Sequence, residues 1–237
     1  MSVIQPTALH ARAGVSHDAA TRSQRWLPTL LSVIAGMVDV IGFLTLGIFT
    51  AHVTGNIVVI GALLVRHSPV HPAQILAIAV FILAVAATWL IAKASGRRGA
   101  GLMRPLLVIQ FLLISCLLVF SAITKPSADP HGLIGTIAAM IAVTAMGCQF
   151  ALLRLAMPIA PSTAVMTGNL TNAVLAFVDS SSRTPLMEKD SARLVAALHL
   201  LLGFFLGCVV ATAALMYLGD WAWLLPATLA AVAVAFG

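Results

Sequence analysis

The chain has 237 residues, of which 61% are hydrophobic and 8% charged, with a net charge of +6 and a mean hydropathy of +1.07. A soluble domain carries about 25% charged residues, so these proportions exclude one and fit a surface that faces lipid. No basic patch is interleaved with aromatics, which argues against a nucleic-acid partner despite the positive balance; the partner implied is the lipid bilayer.

Residues 1–25 are polar, contain Arg12, Arg22 and Arg25 with Pro6 and Gly14 as breakers, and are expected to form a flexible cytoplasmic tail. A single transmembrane domain then fills 26–237. Its first apolar run is too long for the core of a cleaved signal and reads as a span that stays. A hydrocarbon core of about 30 Å needs about 20 apolar residues in a helix. Six stretches meet or approach that length: 26–47, 72–93, 102–124, 132–157, 192–218 and 221–236. The last is short and relies on local thinning of the bilayer. Two further apolar pieces, 56–65 and 169–178, are about 15 Å long as helices, half the core. Cys116, Cys148 and Cys208 lie inside the apolar runs and read as small buried hydrophobes, not as a disulfide or metal set.

Lys and Arg near the spans accumulate on the cytoplasmic side. If the short pieces enter and leave on one face and the N-terminus is cytoplasmic, the inner segments hold Arg12, Arg22, Arg25, Lys93, Arg97, Arg98, Arg104, Arg154, Arg183, Lys189 and Arg193. The outer segments then hold only Arg66 and Lys125. Were the short pieces to cross, Lys93, Arg97, Arg98 and Arg104 would move outside and the bias would weaken. The expected fold is therefore all-α: a polytopic transmembrane helical bundle of six spanning helices plus two re-entrant half-helices. Trp26, Tyr217, Trp221 and Trp223 fall at the expected interfaces, where amphipathic aromatics sit.

Thr50-Ala51-His52-Val53-Thr54-Gly55-Asn56 recurs as Thr163-Ala164-Val165-Met166-Thr167-Gly168-Asn169. Each copy follows a long span and precedes a half-length piece, and two more spans follow each. Three spans per half is an odd number, so the halves form a 3+3 inverted repeat, about 26–124 and about 132–237. That is the plan of many secondary transporters, whose sites lie near the midplane where interrupted helices meet.

Gly36-Met37-Val38-Asp39, Gly42-Phe43-Leu44 and Ala51-His52-Val53-Thr54-Gly55-Asn56 resemble the signature of the YoaK-like family of bacterial integral membrane proteins (domain of unknown function 1275). Ser162 to Thr171 resembles that family's second signature. The resemblance runs from about Trp26 to the end. It implies a multi-pass protein of the bacterial inner membrane but no established substrate. One departure is visible: a Gly-x-Gln-Asn-Ala pattern reads Gly147-Cys148-Gln149-Phe150-Ala151 here.

The candidate substrate-binding residues are Asp39, His52, Thr54, Gly55, Asn56, Gln149, Thr167, Gly168 and Asn169. Irregular backbone at membrane depth must be buried in protein or line a wet cavity. Thr and Asn can cap the free N–H groups of the following half-helix, or those groups can hold an anionic or polar guest. Asp39 lies about 20 Å along the first span from Trp26. A carboxylate there needs a partner, a cavity or a proton, and intramembrane acids mark proton or cation paths by default. His52 suits a proton shuttle or a cap equally. Gln110 and Gln149 suit bridges between helices, and Arg154 can snorkel to the interface. Gly203 and Gly207 form a GxxxG pair that serves packing within the chain as well as homo-oligomerisation.

These residues point to a secondary transporter or permeation protein for a small polar or anionic solute or ion. The alternatives are a non-transporting scaffold or assembly factor and, less favoured, an intramembrane enzyme. Neither a local nucleophile–base motif nor a zinc-hydrolase motif such as H-E-x-x-H is present, so no catalytic residue, metal or cofactor is implied.

Overall fold

The apolar runs fold as helices nearly throughout their expected lengths in a computed structural model of the protein. The structure describes residues 7–158, 160, 162–163, 166–181 and 188–237, with side chains from Trp26 onward apart from 176, 179–181 and 188–193. The helices in chain order are α1 (Thr7–Leu46), α2 (Val53–Val65), α3 (Pro72–Ala94), α4 (Met103–Thr124), α5 (Leu133–Ala156), α6 (Met166–Ser181), α7 (Glu188–Leu218) and α8 (Leu224–Phe236). A 3-10 turn, Gly219–Trp223, joins the last two.

Local chemistry sets the breaks. Gly47, at φ +70°, ends α1, and Gly219, at φ +55°, ends α7; both need the left-handed backbone that glycine adopts without steric cost. Pro72 opens α3, and the Gln74 side chain reaches back to accept from the His71 N–H at 3.3 Å, as in one half of a capping box. Where 1–25 is expected as a tail, the helical backbone of α1 already starts at Thr7. Ala164 and Val165 of the second loop, Arg183, and the side chains of Arg12, Arg22, Arg25, Lys189 and Arg193 lie outside the described residues.

Among the described residues five stretches are long and apolar enough to cross a membrane: Trp26–Leu46, Pro72–Ala94, Gly99–Thr124, Leu133–Ala156 and Leu194–Phe236. The protein thus has the helices of a multi-pass membrane protein. The fifth stretch contains both of the last two expected spans, and α8 by itself has only 13 residues.

Burial separates centre from periphery. Within the most apolar window, 67% of the Trp26–Leu46 stretch and 72% of Leu133–Ala156 are buried, against 22% for Pro72–Ala94. Leu27, Leu31, Ile34, Val38 and Ile41 make the inward stripe of α1 at helical spacing. Ala138, Ala139, Ala142, Val143, Ala145 and Met146 fill the facing part of α5. Large apolar side chains such as Ile82, Leu83, Leu202 and Phe205 point outward, as a lipid-facing surface requires.

The packing has a paired pattern. α7 lies on α1 as α3 lies on α5, α2 packs on α3 as α6 packs on α7, and α4 packs on α5 as α8 packs on α1. Small residues allow the closest approaches. A Cβ on Gly207 would run into the Val33 carbonyl, one on Gly36 into the Phe204 carbonyl, and one on Gly203 would lie 3.0 Å from the Thr29 carbonyl oxygen. The GxxxG pair is therefore spent inside the chain, against α1. Trp223 departs from the interfacial placement: it is fully buried under the bundle end, whereas Tyr217 and Trp221 are exposed.

Candidate functional site

The chain leaves α1 at Gly47 and turns back along the helix it has just left. Phe43 and Phe49 stack across the turn with ring centroids 4.5 Å apart. Gly42 makes room for the returning strand of backbone, since a Cβ there would sit 2.6 Å from Cγ2 of Thr50. The loop comes to rest on Asp39. The backbone N–H of Thr50 donates to Asp39 Oδ1 at 2.8 Å, that of Ala51 at 2.9 Å and that of His52 at 3.4 Å. Nδ1 of His52 lies 2.7 Å from the other carboxylate oxygen. Asp39 is buried, while the His52 side chain keeps 31% of its exposure. The His52 ring meets Phe204 of α7 edge-on at 5.1 Å.

Successive N–H groups aimed at one point form a concave anion site. In this loop that site is filled by the chain's own carboxylate. The carboxylate is thereby satisfied in a buried place where a bare one would be costly.

Asn56 locks the loop from the other side. Its Oδ1 accepts from the Phe49 N–H at 2.9 Å and its Nδ2 donates to the Phe49 carbonyl at 2.8 Å. Asn56 is fully buried. Gly55 lets the Phe49 ring approach, with an added Cβ 2.9 Å from it, and Thr54 is exposed on the first turn of α2.

The second loop repeats one of these bonds. Asn169 Nδ2 donates to the Ser162 carbonyl at 2.8 Å, seven residues upstream, as Asn56 does to Phe49. Gly168 is half-buried and Thr167 exposed, its carbonyl accepting from the Thr171 hydroxyl at 3.0 Å. Among the described residues the carboxylate has no counterpart. Gly147 on α5 is closely packed as Gly36 on α1 is, with an added Cβ 2.8 Å from Ala84 of α3. Three residues after Gly36 stands Asp39; three after Gly147 stands Phe150, at the departure from the family pattern. Thr163, the match of Thr50, is fully buried, and among the described residues its hydroxyl oxygen has no hydrogen-bond partner.

Gln149 sits apart from both loops. Its Nε2 donates to the Leu31 carbonyl of α1 at 2.9 Å and its Oε1 accepts from Gln110 Nε2 of α4 at 2.6 Å. It is a fully buried bridge across three helices. Cys208 lies near the first loop, but its thiol donates to the Gly36 carbonyl at 3.7 Å.

The structure thus brings Asp39 of α1 together with His52 and with Gly55 and Asn56 in the first turn of α2, and places Thr167, Gly168 and Asn169 in the first turn of α6 rather than in a loop. Sequence reasoning missed the backbone donors of Thr50 and Ala51, the role of Phe49, and the buried hydroxyl of Thr163. The shared Thr of the two loops was the signal for the last.

No curated protein and no solved structure matches the chain. A family described as a protein of unknown function (DUF1275) has a model that matches residues 27–236. With its membrane-length helices and both signature loops inside that match, the chain belongs to the DUF1275 family.

Proposed function

We propose that the protein is a secondary transporter or permeation protein for a small polar or anionic solute, with six crossings and two re-entrant half-helices in two inverted halves. The observation that carries it is the α1–α2 loop turned back onto Asp39 and His52 within the bundle. Helix senses support the topology. Gly47, at the end of α1, lies against His131 at the start of α5, while Leu31 meets Gln149 near the end of α5. His131 also stacks on His71 at the start of α3, so α3 and α5 begin where α1 ends.

On that reading α2 leaves and returns at one end of the bundle. Gly203 and Gly207 meet Thr29 and Val33 in the same order, which makes α7 run with α1 and starts it at the end where α5 finishes. The loop and α6 between them then return to that opposite end. The 3-10 turn Gly219–Trp223 and α8 together reach about 30 Å, and Phe236 contacts Trp26 edge-on at 6.4 Å. These contacts favour a sixth crossing. The basic residues Lys93, Arg97, Arg98, Arg104 and Arg154 then share one end, which the charge rule makes cytoplasmic.

Asp39 and His52 form a proton-bearing pair that suits coupling. An anionic group of the solute fits the second loop better than the first, whose donors Asp39 already takes. The test is solute uptake in proteoliposomes with a panel of small anions and polar metabolites, under an imposed proton gradient. Uptake that Asp39→Asn, Asn56→Ala and Asn169→Ala all leave unchanged overturns the assignment.

A second reading, a membrane scaffold with no solute path, is favoured by one observation. Asp39 and both polar atoms of the Asn56 amide already have partners within the chain. No uptake of any tested solute, together with loss of a co-purifying membrane protein on the same substitutions, supports that reading instead.

A further inference from the structure

Away from both loops, a groove of about 260 Å³ runs between α3 and α5. Val85, Trp89, Phe150, Ala151, Arg154 and Leu155 line it. Arg154 is its single charged residue and lies in the last turn of α5. Trp89 is 48% exposed, and Lys93 in the last turn of α3 holds its ammonium 5.1 Å from the Trp89 ring centroid. One cation, Arg154, therefore lines the apolar slot together with Trp89, and a second, Lys93, stands over the same indole. Among the described residues neither has an ion-pair partner.

The surroundings sharpen the charge. The described acidic side chains are Asp39, within the bundle, and Asp129 and Asp220, in the segments after α4 and after α7. Ser127 donates to Asp220 at 2.8 Å, which puts those two segments together at the end opposite Arg154. At the groove's end the described charges are Lys93, Arg97, Arg98, Arg104 and Arg154, all positive.

We infer that this groove is a binding site for one anionic phospholipid. An acyl chain lies along Val85, Phe150, Ala151 and Leu155, and the phosphate sits between Arg154 and Lys93. Trp89 marks the boundary where amphipathic aromatics sit. A free phosphate accounts for the cations but not for the apolar slot, whereas a lipid accounts for both. Basic pockets between spanning helices recognise anionic head groups by this combination. Each cation near the surface raises affinity for an anionic lipid about fivefold.

The test uses the full chain in vesicles with Trp89 as reporter, its signal isolated by subtracting Trp89→Phe. Phosphatidylglycerol and phosphatidylcholine carrying the same brominated acyl chain are compared at equal bromine content. The expected result is stronger quenching of Trp89 by phosphatidylglycerol, with about a fivefold or greater preference that falls with added salt. Arg154→Gln with Lys93→Gln should bring the preference near one, while Arg66→Gln should leave it. Equal quenching by both lipids in the natural chain overturns the site, whether or not the double variant folds. So does a preference that salt leaves untouched. Loss of the preference on adding inorganic phosphate would mean a site for free phosphate. A dimer that shields Trp89 from both lipids would mean that a second copy fills the groove.

Discussion

Asp39 and His52 are 13 residues apart in the chain, yet His52 Nδ1 and Asp39 Oδ2 are 2.7 Å apart. This contact closes a ring of hydrogen bonds in which the loop's N–H groups and its imidazole share one carboxylate. Loop geometry, buried charge and any proton carried at this place are consequently one problem.

Replacing Asp39 by Asn keeps the shape but loses the charge that three N–H groups address. Hydrogen bonds to a charged group contribute about 1.5–3 kcal/mol, against about 1 for neutral pairs. Asp39→Asn is expected to destabilise the protein by about 3 kcal/mol and to speed labelling of a cysteine placed at Thr54. Unchanged stability and labelling in detergent would show that the carboxylate does not hold the loop.

Asn56→Ala leaves the Phe49 N–H and carbonyl without the amide that satisfies them, and Asn169→Ala deprives the Ser162 carbonyl of a donor. Each should cost about 1–3 kcal/mol. If the halves are equivalent, the double substitution should lose both amounts without large coupling, since distant sites add. Denaturant titration of the single and double variants measures this, and a neutral effect at either Asn would break the equivalence.

Two glycine substitutions should act in opposite directions. A Cβ at Gly207 meets the Val33 carbonyl of α1, so Gly207→Ala is expected to force α7 away and cost about 1–3 kcal/mol. At Gly61 in α2 nothing lies within 4 Å of an added Cβ, so Gly61→Ala should stabilise by up to about 1 kcal/mol through helix propensity. Thermal melts of both variants check the pair, and equal shifts would refute the packing assigned to α1 and α7.

His71 and His131 stack face to face, with centroids 3.4 Å apart and planes 3° from parallel. Loss of solvation, and then the neighbouring His131, lower the His71 pKa below its ordinary 6.5. A histidine with a lowered folded pKa contributes stability above the ordinary value and loses it as pH falls through the folded one. The melting temperature should therefore drop between pH 7.5 and pH 5, and His71→Gln should flatten that drop. A melting temperature that rises on acidification would contradict the stack.

Much of the arrangement was legible because lipid imposes simple demands. Spans must be long and apolar, and irregular backbone must be kept from lipid. The two Thr-Gly-Asn segments stood out against those demands, but Asn56 and Asn169 do not cap the N–H groups of their own helices as expected; they reach back to the backbone of Phe49 and Ser162. Hydropathy could not say which apolar face meets lipid and which meets protein, because both are apolar. That is why Trp223 reads as interfacial and is in fact buried, and why Gln149 reads as either a solute ligand or a bridge and is in fact bonded to Leu31 and Gln110.

By itself the sequence determined an all-α membrane protein of the DUF1275 family with two matched loops, since composition, run length and local motif carry that information. Only the tertiary structure decided that the N–H groups of Thr50 and Ala51 address Asp39. The same holds for the GxxxG face of α7 being used up on α1. Each depends on which backbone approaches which across long sequence separations. Close packing settles that choice, and hydropathy does not encode it.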